Sequence, residues 1–205
     1  MIETEVKIKI SDIKETKEKL LAVGCQVDRE FYREHNIFYD FADGRLEKSR
    51  QALRLRRIER KAFLTFKGQP QKSRSFKVRE EYESEVKNYR NIRKILKKLG
   101  LRPTFEYRKK RMLLRRGRVK ICLDITEVGN YLELEGKRSD IVKLARQLGY
   151  SRKDFIKLDY VQMIIEKRQR DQSSSSPKSS SSSSSSSGNS SSSSSENSSS
   201  SSSGS

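Results

Sequence analysis

The sequence predicts an α+β fold: a closed eight-stranded antiparallel β-barrel with a charged interior and helices packed outside. Three observations carry that prediction. The first ten residues alternate without a break, so that Ile2, Thr4, Val6, Ile8 and Ile10 share one strand face and Glu3, Glu5, Lys7 and Lys9 the other. The same two-faced pattern returns in most later strands, with both signs of charge on the polar face. Amphipathic segments of helical period lie between the strands and supply cover for the apolar face. A flat sheet with one wet side would also satisfy the pattern, but a barrel with its charged side turned inward accounts for more of it. Carboxylates at this density repel one another unless cations lie among them, and the arginines and lysines of facing strands need anions.

Each element follows in order. Ser11 or Asp12 caps a helix that carries Ile13, Leu20 and Leu21 and stops at Gly24. The mixed aromatic and polar run FYREHNIFYDF gives a strand over residues 36–41 and a turn at Asp43-Gly44. Tyr39 and Asp40 within it receive no chemical role. Residues 42–50 form a charged loop at one mouth of the barrel. In the strand over 52–58, Leu53 and Leu55 oppose Arg54 and Arg56; in the strand over 62–67, Ala62, Leu64 and Phe66 oppose Phe63, Thr65 and Lys67. A second loop, 68–75, leads into residues 76–86, where Lys77, Arg79, Glu81, Glu83 and Glu85 make a charged ladder against Phe76, Val78, Tyr82 and Val86. Both loops read equally as lids and as plain connections.

Asn88 caps a helix with Ile92, Ile95, Leu96 and Leu99 on one stripe, ending at Gly100. Strands follow over 105–115, 118–126 and 131–137. In the second of these Val119, Ile121, Leu123 and Ile125 oppose Lys120 and Asp124; in the third, Glu133, Glu135 and Lys137 oppose Leu132 and Leu134. Ser139 opens a third helix carrying Ile141, Leu144, Ala145 and Leu148. A fourth, from about Asp154, presents Phe155, Leu158, Val161 and Ile165. Each half of the chain offers a carboxylate strand and basic strands, a weak internal repeat.

Of the 205 residues, 171–205 are almost all serine and have nothing to bury, so they are expected to be a disordered tail behind one domain over 1–170. Forty-six lysines and arginines against 27 acids leave a net charge of +19. Such a charge attracts polyanions, and nucleic acid is the default partner of a basic chain. The carboxylate ladders argue against a specific nucleic-acid protein, because glutamate repels phosphate unless a metal bridges them. Cys25 and Cys122 form no C-x-x-C pair, and the chain opens on a strand rather than an apolar leader, which places it in a reducing cytoplasm. No apolar run approaches the ~20 residues that cross a bilayer, so no membrane partner is expected. His35 is the sole histidine, which removes His-rich zinc sites and Ser-His-Asp chemistry. A metal held here would have carboxylate ligands, which suits Mg2+ or Mn2+.

Glu3-x-Glu5-x-Lys7 resembles the signature of the CYTH superfamily, the triphosphate tunnel metalloenzymes, which include class IV adenylyl cyclases, thiamine triphosphatases and inorganic triphosphatases. Further landmarks stand in that family's order over residues 1 to about 165: ALRLR with Arg54 and Arg56, LTFKG with Lys67, VREEYESEV with Arg79, Glu81, Glu83 and Glu85, RKKR with Lys109 and Arg111, CLD with Asp124, and GNYLELE with Glu133 and Glu135. LDY, with Tyr160, is similar to the closing S-Y motif, although Asp159 replaces the serine.

The resemblance implies a metal-dependent enzyme acting on a nucleoside triphosphate or tripolyphosphate. Lys7, Arg54, Arg56, Lys67, Arg79, Lys109 and Arg111 would hold phosphates. Glu3, Glu5, Glu81, Glu83, Asp124, Glu133 and Glu135 would hold one or two Mg2+ or Mn2+ ions, with Glu3, Glu5 and Lys7 at the reacting centre. Two reactions fit: cyclisation of ATP to cyclic AMP and pyrophosphate, which is the first expectation, and release of orthophosphate from tripolyphosphate, thiamine triphosphate or a nucleotide. A noncatalytic binder of polyphosphate or an RNA 5′ end is the alternative of another class. Kinship with the cyclases also implies a possible homodimer.

Overall fold

The computed structural model describes residues 2–174. The serine-rich run from residue 175 onward, most of the expected tail, lies outside the described residues. Eight antiparallel strands, β1 (Ile2–Ile10), β2 (Gln26–Phe41), β3 (Ala52–Ile58), β4 (Lys61–Lys67), β5 (Lys77–Glu85), β6 (Leu101–Arg116), β7 (Val119–Thr126) and β8 (Gly129–Glu135), close into the expected barrel. Around it the order is β1-β5-β4-β3-β2-β6-β7-β8, with β8 paired back onto β1.

Two strands are longer than expected. β2 starts at Gln26 rather than at 36, and β6 at Leu101 rather than at 105; both run for 16 residues and pair along most of that length. Sequence patterning hid the first half of β2 because Val27, Phe31 and Tyr32 are scattered among charged residues and do not alternate, so no apolar face marks it. Barrel closure, not local preference, makes it a strand.

Among the described residues five α-helices surround the strands: α1 (Ile13–Ala22), α2 (Arg45–Lys48), α3 (Tyr89–Lys98), α4 (Arg138–Gln147) and α5 (Tyr160–Ser174). Asp12 caps α1 by accepting from the Glu15 N–H at 2.9 Å, and Asn88 caps α3 from Asn91 at 2.9 Å. The loop over 42–50 contains the short α2, because buried Asp40 accepts from the backbone N–H groups of Phe41, Leu46 and Glu47 and pins the turn. The last helix begins at Tyr160, not near Asp154. Ser151 and Asp154 instead form a capping box around one 3₁₀ turn, and the chain then extends so that Ile156 and Lys7 exchange backbone hydrogen bonds of 3.1 and 2.8 Å. This segment fills a seam, since β5 pairs with β1 only over Ile2–Glu5.

The outer apolar face is buried in two clusters. One places Val6, Ile8, Ile121, Leu123, Leu132 and Leu134 under Leu20 of α1 and Ile141 and Leu144 of α4. The other places Ile37, Tyr39 and Leu55 under Leu96 of α3. α5 departs from the expectation of helices lying only outside: its first residue, Tyr160, enters the end of the barrel and packs on Tyr107 and Tyr131. Among the described residues no helix is long and apolar enough to cross a membrane.

Candidate active site

Register builds the site. Glu5 lies opposite Lys77 on β5 and Glu135 on β8, Lys7 opposite Glu133, Lys67 opposite Glu81, and Arg111 opposite Asp124. Strand alternation turns these pairs inward together. All of them but Asp124 line a cavity of about 420 Å³ with Glu3, Arg54, Arg56, Arg79, Glu83, Lys109, Lys120, Asp159, Phe38, Tyr107 and Tyr160. Every cation expected to hold phosphate is there, as are Glu3, Glu5, Glu81, Glu83, Glu133 and Glu135. Asp124 stands behind the wall, fully buried. It accepts from Lys109 at 3.1 Å, from Arg111 at 2.6 and 2.7 Å, and from the Tyr160 hydroxyl at 2.7 Å.

Nine cationic side chains line the cavity, and seven carboxylates line it with them. Glu34 and Asp124, just behind, bring the carboxylates to nine as well. Lys7 is shared by Glu5 at 3.0 Å and Glu133 at 3.2 Å. Lys77 reaches Glu5 at 3.4 Å and Asp159 at 3.5 Å. Arg56 meets Glu83 at 2.7 Å, and Arg54 meets the same carboxylate at 3.3 Å. Lys67 is bonded to Glu81, and Lys120 to Glu135 at 2.7 Å. Arg79 is the exception. Its Nη2 donates to the Arg50 carbonyl at 2.9 Å, its buried Nε has no hydrogen-bond partner, and among the described residues no carboxylate stands within ion-pair distance.

These neighbours set the charge states. Burial works to raise Glu5, but Lys7 and Lys77 outweigh it and hold the carboxyl well below its usual range. Burial likewise opposes the charge on Lys7, yet Glu5 and Glu133 keep its ammonium firmly protonated. Two groups move the other way. Burial, reinforced by Glu3, pushes Glu81 up to about 7, and burial with Arg54 nearby brings Lys67 down to about 8. Glu81 and Lys67 are therefore the groups in the cavity that exchange a proton near neutrality.

The carboxylates divide by their commitments. Asp124 is saturated by cations and a hydroxyl, and Glu83 by Arg54, Arg56 and the Thr65 hydroxyl at 2.6 Å. Glu3 is different: it lies within hydrogen-bond reach of Glu81 and Glu135, and burial raises its pKa. Among the described residues no three such side chains stand ready-made around one ion. The crowded row Glu3, Glu81 and Glu135 nonetheless has the oxygen chemistry that suits Mg2+ or Mn2+, since neighbouring carboxyls that share a proton are those a divalent ion can bridge.

Sequence reasoning singled out no role for Glu34, Lys77, Lys120 or Asp159. Lys77 and Lys120 were visible on charged strand faces. Glu34 was hidden because its strand was not recognised; it is fully buried, 3.6 Å from both Arg56 and Lys109, and its oxygens make no hydrogen bond within the described residues. Asn36, two residues on, is equally buried and unbonded through its side chain. A second cavity of about 500 Å³ shares Phe38, Ala52, Lys77, Arg79, Asp159 and Val161 with the first. Its farther wall is largely apolar, with Leu46, Leu53, Phe76, Phe105, Leu158 and Ile165, and the loops over 42–50 and 68–75 both contribute to it.

Residues 1–158 match the model of the CYTH domain. A Methanocaldococcus jannaschii protein named "putative adenylate cyclase" is 29% identical over 174 residues, covering 80% of this chain and 98% of its own length. Among solved structures, a Vibrio parahaemolyticus protein bearing the same description superposes with a TM-score of 0.72 at 20% identity, over 80% of this chain and 98% of its own. A Hippeastrum protein, described as a "putative adenylyl cyclase" that reveals a dominant triphosphatase activity, gives a TM-score of 0.60 at 20% identity, over 80% of this chain and 96% of its own. At these identities the two structures share the fold.

Proposed function

The chain belongs to the CYTH domain family, and from that premise we propose that it is a divalent-metal-dependent enzyme that binds a triphosphate in its barrel, cyclising ATP to cyclic AMP and pyrophosphate. The observation that carries the reading is that, among the described residues, every cation lining the cavity except Arg79 is already paired with a carboxylate. A triphosphate brings about four negative charges. Cations already committed to carboxylates cannot take up that charge alone, and two divalent ions would supply the rest. Glu3, Glu81 and Glu135, with Glu5 and Glu133 beside Lys7, are the residues that would hold them. When bound, such ions neutralise phosphate oxygens and polarise the phosphorus under attack.

The chain's own groups do the rest. Arg79, with no carboxylate partner, is the first cation open to a phosphate; Arg54, Arg56, Lys109 and Arg111 hold the others from positions fixed by Glu83, Glu34 and Asp124. Tyr160 and Tyr107 close the barrel end against water. In the cyclisation the ribose 3′-oxygen bonds to the α-phosphorus and the bond from that phosphorus to the bridging oxygen breaks. Pyrophosphate leaves with the electron pair, and the hydroxyl proton passes to solvent water. The apolar second cavity beside Arg79 supports a nucleoside substrate, because tripolyphosphate has no use for it. Hydrolysis with release of orthophosphate is the second reading, favoured by the activity described for the Hippeastrum relative.

Phosphorus NMR of the protein with magnesium or manganese, given ATP and tripolyphosphate separately, tests this. Cyclic AMP with pyrophosphate supports the first reading and orthophosphate the second. Absence of turnover with either metal rejects both and leaves a noncatalytic anion binder.

A further inference from the structure

The interior is balanced, so the net charge of +19 lies on the outside of the barrel. Part of it stands on the sheet itself. On the outer face of β2, β3 and β6, Arg33 lies directly opposite Lys110, and in the next row His35 lies between Arg57 on β3 and Arg108 on β6. All four cations are exposed, while the alternating Glu34 and Lys109 are buried inside. Like charges placed opposite one another on a sheet oppose folding. Here they are not relieved from within: among the described residues Arg33, Arg108 and Lys110 form no ion pair, and the nearby carboxylates Glu106 and Glu59 are taken by His35 at 3.1 Å and Arg29 at 2.9 Å.

Aromatic rings interleave with this charge. The Arg57 and Arg93 guanidiniums both sit over Tyr89, at 5.6 and 5.7 Å, and Phe31, 38% exposed, lies two residues before Arg33. We propose that this outer face, centred on Arg33, Arg57, Arg108 and Lys110, binds single-stranded nucleic acid. Phosphates would relieve the opposed cations, and an unpaired base would stack on Phe31. A second copy docking through the same face would meet cation with cation. Most of the carboxylates that argue against nucleic acid in the sequence line the tunnel, and those beside this surface, Glu59 and Glu106, are already paired. The proposal is independent of the reaction in the barrel.

The test is fluorescence anisotropy with a 5′-hydroxyl oligouridylate of about 16 nucleotides, whose end carries no triphosphate to enter the tunnel. The triple substitution Arg33→Ser, Arg108→Ser, Lys110→Ser is compared with a control triple on the far side, Lys143→Ser, Arg146→Ser, Lys153→Ser. The first should weaken binding at least tenfold and lower the slope of log affinity against log salt by about 2, with ATP turnover unchanged and Tm equal or higher as repulsion is removed. The control should leave binding near wild type. Equal losses in both triples, displacement of the oligonucleotide by tripolyphosphate, or tighter capture of the same face by anionic vesicles than by RNA would each overturn the proposal. Should the triple not fold, Lys110→Glu alone carries the same comparison against Lys143→Glu.

Discussion

Arg111 grips Asp124 with two parallel hydrogen bonds, 2.7 Å from Nε and 2.6 Å from Nη2, inside a wall where Asp124 has no exposed surface. A fork-on-carboxylate contact fixes the guanidinium plane as well as its position. The same carboxylate holds Lys109 and Tyr160, so one aspartate orients two candidate phosphate ligands and the residue that closes the barrel. Asp124→Asn should therefore lower kcat about a hundredfold and destabilise the fold by about 3–5 kcal/mol, the cost of leaving buried cations unpaired. The magnesium concentration for half-maximal activity should stay unchanged, since an anchor behind the wall does not touch the ion. A large rise in that concentration would instead make Asp124 a metal ligand.

Arg79 predicts the opposite balance of stability and function. It is 6% exposed and bonded to a backbone carbonyl rather than a carboxylate. Arg79→Ala should raise KM for any triphosphate by about tenfold to a hundredfold, the worth of a charged hydrogen bond, and leave Tm unchanged or higher. Lys7→Met, which leaves Glu5 to Lys77 and Glu133 to Arg111 alone, should lower Tm. Steady-state kinetics with thermal melts of both variants decides it.

The strands that carry Glu3, Glu5, Arg54, Lys67, Arg79 and Glu133 were legible because period-two alternation declares their two faces before any contact is known. The placement of Asp124 behind the wall was not, since alternation says which face a side chain takes and not how deep it lies. Glu34 and the start of β2 were hidden for another reason: their outward neighbours Arg33 and His35 are polar, so the local pattern has no apolar face to report. Tyr160 was found by resemblance alone; its entry into the barrel depends on the extended turn at Phe155 and Ile156, which helical periodicity read through.

Glu34 supplies a pH signature. Burial would raise its pKa, but Lys109, Arg111, Arg56 and Arg54 together lower it to about 2. A carboxyl depressed on folding contributes stability that is complete above its unfolded pKa and is lost as pH falls toward its folded one. That contribution is on the order of 3 kcal/mol, and it should disappear between about pH 4.5 and 2. Glu34→Gln should melt lower than wild type at pH 7, with the gap narrowing across this window. Parallel melting curves would reject the role.

The cavity beyond Arg79 separates the substrates. Its apolar wall, with Phe105 and Leu158, begins where the charged lining ends, and the two share Lys77, Arg79 and Asp159. A chain of phosphates held in the tunnel would place an attached nucleoside against that wall. Burying a base on apolar side chains is worth a few kcal/mol, and each side chain shares part of it. Leu158→Ser and Phe105→Ser should therefore each raise KM for ATP about tenfold while leaving KM for tripolyphosphate where it was. The comparison needs both substrates on the same protein, because a general loosening of the barrel mouth would raise the two together. Parallel rises would mean that the apolar cavity only supports the tunnel, and the case for a nucleoside would then rest on the relatives' names alone.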